Sequence, residues 1–387
     1  MLFELKKCIE RKHIIFGAVF WAVWGVLLPI ALTVGYWQVN LKAGYSSKND
    51  IVQSIEAVAE LDLSNKQKIV KLQMEERENL KNQKIPFLSD TFYESAANKA
   101  TLTEVAGDYY FYGFSDMYIR KLKENGRTRS LMSARRKIQE DYDEKYVKQL
   151  EMLEKIGKPK AEFTTFMNYY ENFTNISMVI IVIFLMLVFG NIGSLEYSSK
   201  MNMLLYSTPV NNMKIFAGKM ICIATVGGGA MLLLDLCHII IFFGLGYGKN
   251  LNINLNSLSL NFVYCPYSIN VLQYFILKFL FGQLTILALS AAIVFISIKW
   301  KSSIITIAFT GIVTIGCYAA STIGFDNSFI VRYSFAGGIS PEIVFKDFYA
   351  ANIAGNIIFY PVIYAVWLLI LTLICTMGIF VLAKRRR

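Results

Sequence analysis

The sequence of 387 residues is 55% hydrophobic, with a mean hydropathy of +0.43. Soluble domains are about 45–50% apolar even when glycine is counted, so this composition predicts a membrane protein. The net charge of +11 does not indicate nucleic-acid binding. Residues 38–175 hold 22 basic and 21 acidic side chains, so the excess lies in the apolar remainder, where the positive-inside rule accounts for it.

Cysteine and histidine are too few and too scattered to indicate a metal centre. The six cysteines show no C-x-x-C spacing, and there are only two histidines. The sequence also lacks H-E-x-x-H, G-x-S-x-G, a paired-carboxylate motif and the phosphate-binding G-x-x-x-x-G-K-[ST]. We therefore predict that this chain has no catalytic activity of its own, no metal and no bound cofactor.

Apolar runs divide the chain into predicted membrane spans, for which about 20 residues are needed. A basic amphipathic helix at 1–13 precedes the first run and is expected to lie on the inner membrane surface. An even number of spans puts both termini in the cytoplasm, on the side where basic residues concentrate. The predicted fold is α-helical, with six spans at 14–37, 176–193, 215–246, 269–298, 303–324 and 357–383.

Residues 38–175 predict a mainly helical domain on the outer side of the membrane, inserted between the first two spans. A capping box from Ser64 to Gln67 begins one helix, and an apolar stripe marks another at about 130–156. An aromatic cluster between them either forms the core of the domain or binds an apolar or peptidic substrate. The centre of that cluster is the run Tyr109, Tyr110, Phe111 and Tyr112.

Three ionisable side chains lie well inside predicted spans: Asp235 and His238 in the third, and Lys278 in the fourth. A lone charge there costs about 2.5–3.5 kcal/mol, and the helical rise puts Asp235 and Lys278 at similar depths. We expect the two to pair, and His238 to share the carboxylate from the same helix face. The pair either fixes helix packing or forms a polar site on a transport path, including a proton-linked step.

The loop at 194–214 combines a carboxylate, an amphipathic patch and a proline that stops the patch. This pattern favours a short helix on the cytoplasmic membrane surface; the alternative is an ordinary interfacial loop. A Glu after a span, a Leu-Leu-x-S/T-x-P core and then a basic residue resemble the cytoplasmic loop of ABC-2 type transporter permeases. The residues concerned are Glu196, Met201, Met203, Leu204, Leu205 and Pro209.

The resemblance implies a function and a set of partners. In that family the loop is a coupling helix that docks on a separate ATPase subunit, and two permeases combine with two ATPase subunits that carry ATP and Mg²⁺. This chain would be a permease subunit in the plasma membrane, exporting an amphipathic substrate such as an antimicrobial peptide, a lipid or a drug. The absence of cysteine from residues 38–175 and the richness in Lys, Asn and Ile favour a Gram-positive bacterium. The resemblance also implies a re-entrant outer loop at 325–356. The large domain at 38–175 departs from the compact bacterial members.

A different class of function is a membrane receptor or scaffold that does not transport. Its outer domain would bind a peptide or an envelope partner, and it would need neither a coupling loop nor charged side chains inside the membrane. The sequence leaves the substrate and the direction of transport open. It also leaves open whether the second permease is another copy of this chain or a related one.

Overall fold

The protein is described from a computed structural model, which is α-helical as predicted. The structure describes residues 19–31, 165–194, 212–244, 251–255, 265–325, 328–346, 349–353 and 356–384, together with a few isolated positions. The elements are α1 (Trp21–Ala31), α2 (Thr165–Phe189), α3 (Asn212–Gly244), α4 (Val271–Trp300), α5 (Ser303–Gly311 through Ser321–Phe325), α6 (Phe329–Arg332), α7 (Ala336–Ile339), α8 (Glu342–Phe345), β1 (Ala350–Ile353), β2 (Asn356–Phe359) and α9 (Tyr360–Lys384).

Helices α3, α4, α5 and α9 are long and apolar enough to cross a membrane. The first two predicted spans coincide with shorter apolar helices, namely α1 and the Phe173–Phe189 part of α2. Helix α2 begins at Thr165, well before the predicted span at 176–193, so it includes the end of the predicted outer domain. A total of six spans therefore stays a prediction. The rest of that domain, apart from isolated positions, and the helix at 1–13 lie outside the described residues.

Helix α4 is the centre of the bundle and packs against α2, α3, α5 and α9. In its most apolar part 67% of the residues are buried, against 33% in α3, 17% in α5 and 22% in α9. A capping box fixes its start, because the side chains of Asn270 and Gln273 each accept a hydrogen bond from the main-chain N–H of the other. Small buried residues such as Ala288 and Ala291 let neighbouring helices approach closely.

Helix α5 turns a stripe of hydroxyl groups toward the bundle. Thr306, Thr310 and Thr314 are buried, and each hydroxyl donates to the main-chain carbonyl four residues earlier. These bonds satisfy polar groups that water does not reach. Two π-helical turns, Ile312–Gly316 and Ser321–Phe325, interrupt the helix. The three buried hydroxyl groups therefore face the bundle, and the large apolar side chains of Ile304, Phe309 and Ile312 are exposed.

The long helices alternate in direction, so the bundle has two ends. The turn end holds the turn at 190–194 after α2 and the tight connection from α4 to α5, where Lys301 has a left-handed main chain with φ 54°. The hairpin end holds α6, α7, α8 and the antiparallel pair of β1 and β2, in which Ala350 faces Phe359. Strand β2 continues directly into α9.

Side chains on one face of α9 hold the chain segment that follows α6. The last carbonyl groups of a helix have no partner within that helix, and here three successive carbonyls accept hydrogen bonds from α9 at 2.5–2.9 Å. The segment at the hairpin end is thereby fixed to the last long helix. The pairs, donor first, are Tyr360 with Arg332, Tyr364 with Ser334, and Trp367 with Tyr333.

Candidate functional site

A small pocket lies between α2, α3, α4 and the segment around α7; we call it the polar pocket. Two charged side chains line it, Asp235 from α3 and Lys278 from α4. Thr174 adds a hydroxyl group, and Gly338 and Pro341 complete the lining from the segment around α7. Its cavity volume of about 20 Å³ is room for about one water molecule. In this conformation the polar pocket is therefore too small for a large ligand.

Both charges of the polar pocket lie well inside long apolar helices. At 1.5 Å per residue, Asp235 is about 14 Å from the end of α3 at Gly244, and Lys278 is about 11 Å from the start of α4 at Val271. Lys278 is only 6% exposed, and it attracts Asp235 electrostatically. The structure thus brings to one pocket the two side chains for which the sequence predicts a pair.

His238 lies among aromatic side chains of α2 and α3 and close to α1. Its ring is fully buried, with ring centroids 5.8 Å from Phe173 and 6.3 Å from Phe242. Its Nε2 atom lies 3.5 Å from the carbonyl oxygen of Trp24 in α1. These contacts join α3 to α1 and α2. The prediction that His238 also shares the Asp235 carboxylate stays a prediction.

The roof of the polar pocket is α7 and the turn that follows it. All four residues of α7 are buried. Gly338 packs directly on Thr285 of α4, since an added Cβ would overlap Thr285 Oγ1. Asn175 Nδ2 of α2 donates to Ser340 Oγ at 3.1 Å. Thr285 lies about 21 Å along α4, so the roof reaches halfway down the central helix.

Sequence reasoning found the charges of the polar pocket but not the residues that enclose them. Gly337 and Gly338 fall within the predicted outer loop at 325–356, although small residues are also the ones that let main chain pack closely against a helix. Thr285 and Asn175 carry no recognisable pattern, because a single hydroxyl or amide group in an apolar helix does not reveal its partner.

The predicted coupling residues and the predicted substrate surface lie outside the described residues, and both roles stay predictions. The two stems of the coupling loop are described, and they contact each other, since Lys219 of α3 reaches Ile192. The residues outside are Glu196, Met201, Met203, Leu204, Leu205 and Pro209 in the loop, and Tyr109, Tyr110, Phe111 and Tyr112 in the predicted outer domain.

Comparisons with protein-family models, curated proteins and solved structures found no match to this chain. Among the residues that the structure describes, no group of three or more His, Cys, Asp or Glu side chains could hold a metal ion. The parts of the molecule that bear on its function are therefore the polar pocket, its roof and the loop between α2 and α3.

Proposed function

We propose that this chain is the membrane-spanning subunit of an ATP-driven exporter of the ABC-2 permease type. The observation that carries the proposal is the polar pocket, which an acidic side chain of α3 and a basic side chain of α4 line together, well inside apolar helices. Ionisable residues inside a membrane are costly, face the bundle interior and mark substrate or ion pathways. A receptor that only displays an outer domain has no need of them.

In this proposal the turn end faces the cytoplasm and the hairpin end faces outward. Lys299, Lys301 and Lys384 lie at the turn end, and basic residues concentrate on the cytoplasmic side of membrane proteins. With α1 and α2 as further spans, the chain crosses the plasma membrane six times, and both termini are cytoplasmic. Residues 38–175 then form the outer domain.

Transport requires the polar pocket to widen, because its cavity holds about one water molecule. Movement of α7 away from α4 opens the pocket outward, and a tilt of α3 against α4 opens it inward. An amphipathic peptide, lipid or drug suits a pocket that combines two charges with the apolar side chains of Phe275 and Phe279.

The energy for transport comes from partner subunits. The loop at 194–214 docks on an ATPase subunit through Leu204 and Leu205, in the way that an amphipathic helix lies in an apolar groove. ATP and Mg²⁺ stay on that subunit, which is present twice, together with a second permease. Pro209 ends the docking helix, and Glu196 lies near a basic group of the ATPase subunit or of the N-terminal helix.

Reconstitution with the ATPase subunit tests the proposal. The double substitution Leu204→Asp with Leu205→Asp removes the apolar anchors, whereas Asn211→Asp with Asn212→Asp adds the same charge to the same loop at polar positions. We expect the first variant to weaken co-purification of the ATPase on the order of tenfold or more, as loss of an interface anchor does. It should also lose ATP-dependent movement of a fluorescent phospholipid in vesicles, and the control should keep both activities.

Two results would contradict the proposal. Unchanged co-purification and transport in the Leu204 and Leu205 variant would reject the coupling role of the loop. A wild-type chain that binds no ATPase, but whose outer domain captures a peptide ligand, would establish a receptor instead.

A further inference from the structure

A second buried lysine lies at the turn end, away from the polar pocket. Lys219 of α3 is 0% exposed, and its Nζ donates a hydrogen bond to the main-chain carbonyl of Ile192 at 3.0 Å. That carbonyl follows the end of α2, where a helix leaves its last carbonyls unpaired and its dipole is negative. The contact therefore joins the residues just before the loop at 195–211 to the helix just after it.

Helix α4 holds the same turn from another side. Ser297 Oγ accepts a hydrogen bond from Gly193 N at 2.8 Å and donates to Gly190 O at 3.4 Å. A side chain at Gly193 has no room, since an added Cβ would lie 2.8 Å from Ser297 Oγ and 3.0 Å from Ile298 N. The turn at 190–194 is thus held by α3 and α4 together.

We propose that Lys219 and Ser297 are positioning residues that hold the stems of the loop at a fixed spacing and so transmit motion of α3 and α4 to the ATPase subunit. We call Lys219, Ser297 and the turn at 190–194 the stem clamp. The proposal depends on the proposed function, because the receiving partner is that ATPase. Helices α3 and α4 also carry Asp235 and Lys278, so the stem clamp and the polar pocket are built on the same two helices.

The stem clamp and the polar pocket lie far apart, so motion passes between them through the helices that carry both. Lys219 and Asp235 lie about 24 Å apart along α3. When α3 and α4 tilt against each other at the polar pocket, Lys219 and Ser297 keep their bonds to the turn at 190–194, and the turn moves with the two helices. Because the stem clamp fixes the residues on both sides of the loop to each other, the loop is displaced with them. Displacement of the loop by the partner acts back on the pocket in the same way.

Two variants break the stem clamp by different chemistry. Lys219→Met keeps the length of the side chain and removes its charge, whereas Gly193→Ala pushes the turn away from Ser297 and changes no charge. Matched controls lie on α3. Lys214→Met removes an exposed lysine, and Gly218→Ala adds a methyl group where no heavy atom lies within 4 Å.

The first measurement is hydrogen exchange of the peptide at 190–194 in the full-length protein in lipid nanodiscs, which does not depend on an ATPase. We expect the Gly193 amide to exchange on the order of tenfold faster in both clamp variants, since loss of a protecting contact lowers the local opening free energy. The two control variants should exchange like the wild type. Ser297→Ala, which removes a single hydroxyl group, replaces Lys219→Met if that variant does not fold.

The second measurement is ATP hydrolysis by the permease–ATPase complex in vesicles of phosphatidylglycerol and phosphatidylethanolamine, relative to the free ATPase. We expect both clamp variants to bind the ATPase but to lose about threefold or more of the permease-dependent change in hydrolysis, the size at which residues between coupled sites act. A role in packing alone would leave this ratio unchanged in every folded variant.

Three results would overturn all or part of the proposal. Faster exchange with unchanged hydrolysis would overturn the positioning role and leave a structural contact. Unchanged exchange in both clamp variants would show that the stem clamp does not hold the turn. If the wild-type chain binds no ATPase, the proposed function and the coupling role both fail, and the exchange result still decides whether the clamp exists.

Discussion

The two ends of the bundle hold irregular main chain by the same chemistry but with different side chains. At the turn end, Lys219 and Ser297 bind the turn at 190–194. At the hairpin end, three aromatic side chains of α9 donate to the carbonyl groups that follow α6. One end therefore uses a buried ammonium group, and the other uses neutral phenol and indole groups.

This difference has a physical consequence. A buried charge has a large desolvation cost, so breaking its hydrogen bonds without replacing them is strongly unfavourable. Tyrosine and tryptophan combine an apolar body with one polar group and suit the boundary between membrane and water. Breaking one of their bonds leaves no unpaired charge, so it costs less than breaking the bond of a buried ammonium group. The comparison indicates a fixed turn end and a hairpin end that can be released in steps.

Accessibility from the two sides of the membrane is the largest expected difference between the ends. Asn352→Cys places a thiol on an exposed residue of β1, and Lys299→Cys places one at the exposed end of α4. We expect an impermeant maleimide to label the first in intact cells and the second only after lysis. The wild-type chain, labelled in parallel, controls for its own cysteines. Labelling of both thiols from one side would contradict the orientation.

Removing one charge from the polar pocket should have the next largest effect. Asp235→Asn takes away the attraction on Lys278, and a lone charge in the membrane costs about 2.5–3.5 kcal/mol. We expect Asp235→Asn and Lys278→Gln each to reduce the folded fraction in size-exclusion profiles and in thermal unfolding. The double variant should recover much of that loss. A double variant that shows only the sum of two defects would mean that the charges do not interact.

An added methyl group at the roof of the polar pocket should cost somewhat less. Gly338→Ala overlaps Thr285 Oγ1, and overpacking of this kind costs about 1–3 kcal/mol. The matched control is Gly229→Ala, where an added Cβ meets no heavy atom within 4 Å. Combining Gly338→Ala with Thr285→Ala should recover part of the loss. Equal melting temperatures for Gly338→Ala and the control would show that α7 does not rest on α4.

The smallest effect is expected for the bonds at the hairpin end. Tyr364→Phe removes the hydrogen bond to Ser334 O, and hydrogen bonds between membrane helices contribute about 0.6 kcal/mol on average. Ser297→Ala should cost more, about 1–3 kcal/mol, because it leaves the buried Gly193 N–H without its acceptor. Thermal unfolding of the two variants in the same detergent compares the ends directly. A larger cost for Tyr364→Phe would reverse the comparison.

The helices could be predicted from the sequence where the membrane itself restricts the conformation of the main chain. Helices α3, α4, α5 and α9 cover apolar runs from which spans were predicted, because a long apolar segment in lipid must satisfy its main-chain hydrogen bonds internally as a helix. Charges within those runs were equally visible, since Asp235 and Lys278 are conspicuous among apolar neighbours. Depth along a helix follows from counting residues, and this is why the two could be matched.

Neighbours across the bundle could not be predicted in the same way. Helices α4 and α9 are similarly apolar, yet 67% of the most apolar part of α4 is buried and only 22% of that of α9. Hydropathy measures compatibility with lipid and not the number of neighbours. In the sequence Lys219 is only a basic residue near the start of the predicted span at 215–246, whereas the structure buries it against Ile192 O. A main-chain acceptor carries no side-chain signal, so the contact had no trace in the sequence.

The placement of the charges on α3 also bears on how the chain enters a membrane during translation. Lys219 meets Ile192, which has already been synthesised, whereas Asp235 meets Lys278, which has not. An unaccompanied Asp235 costs about 2.5–3.5 kcal/mol, so we expect α3 to integrate together with α4 as a helical pair. Nascent chains that end at residue 268 should integrate less efficiently into microsomes than chains that continue to residue 302. Equal integration of the two would mean that the membrane accepts Asp235 before its partner has been made.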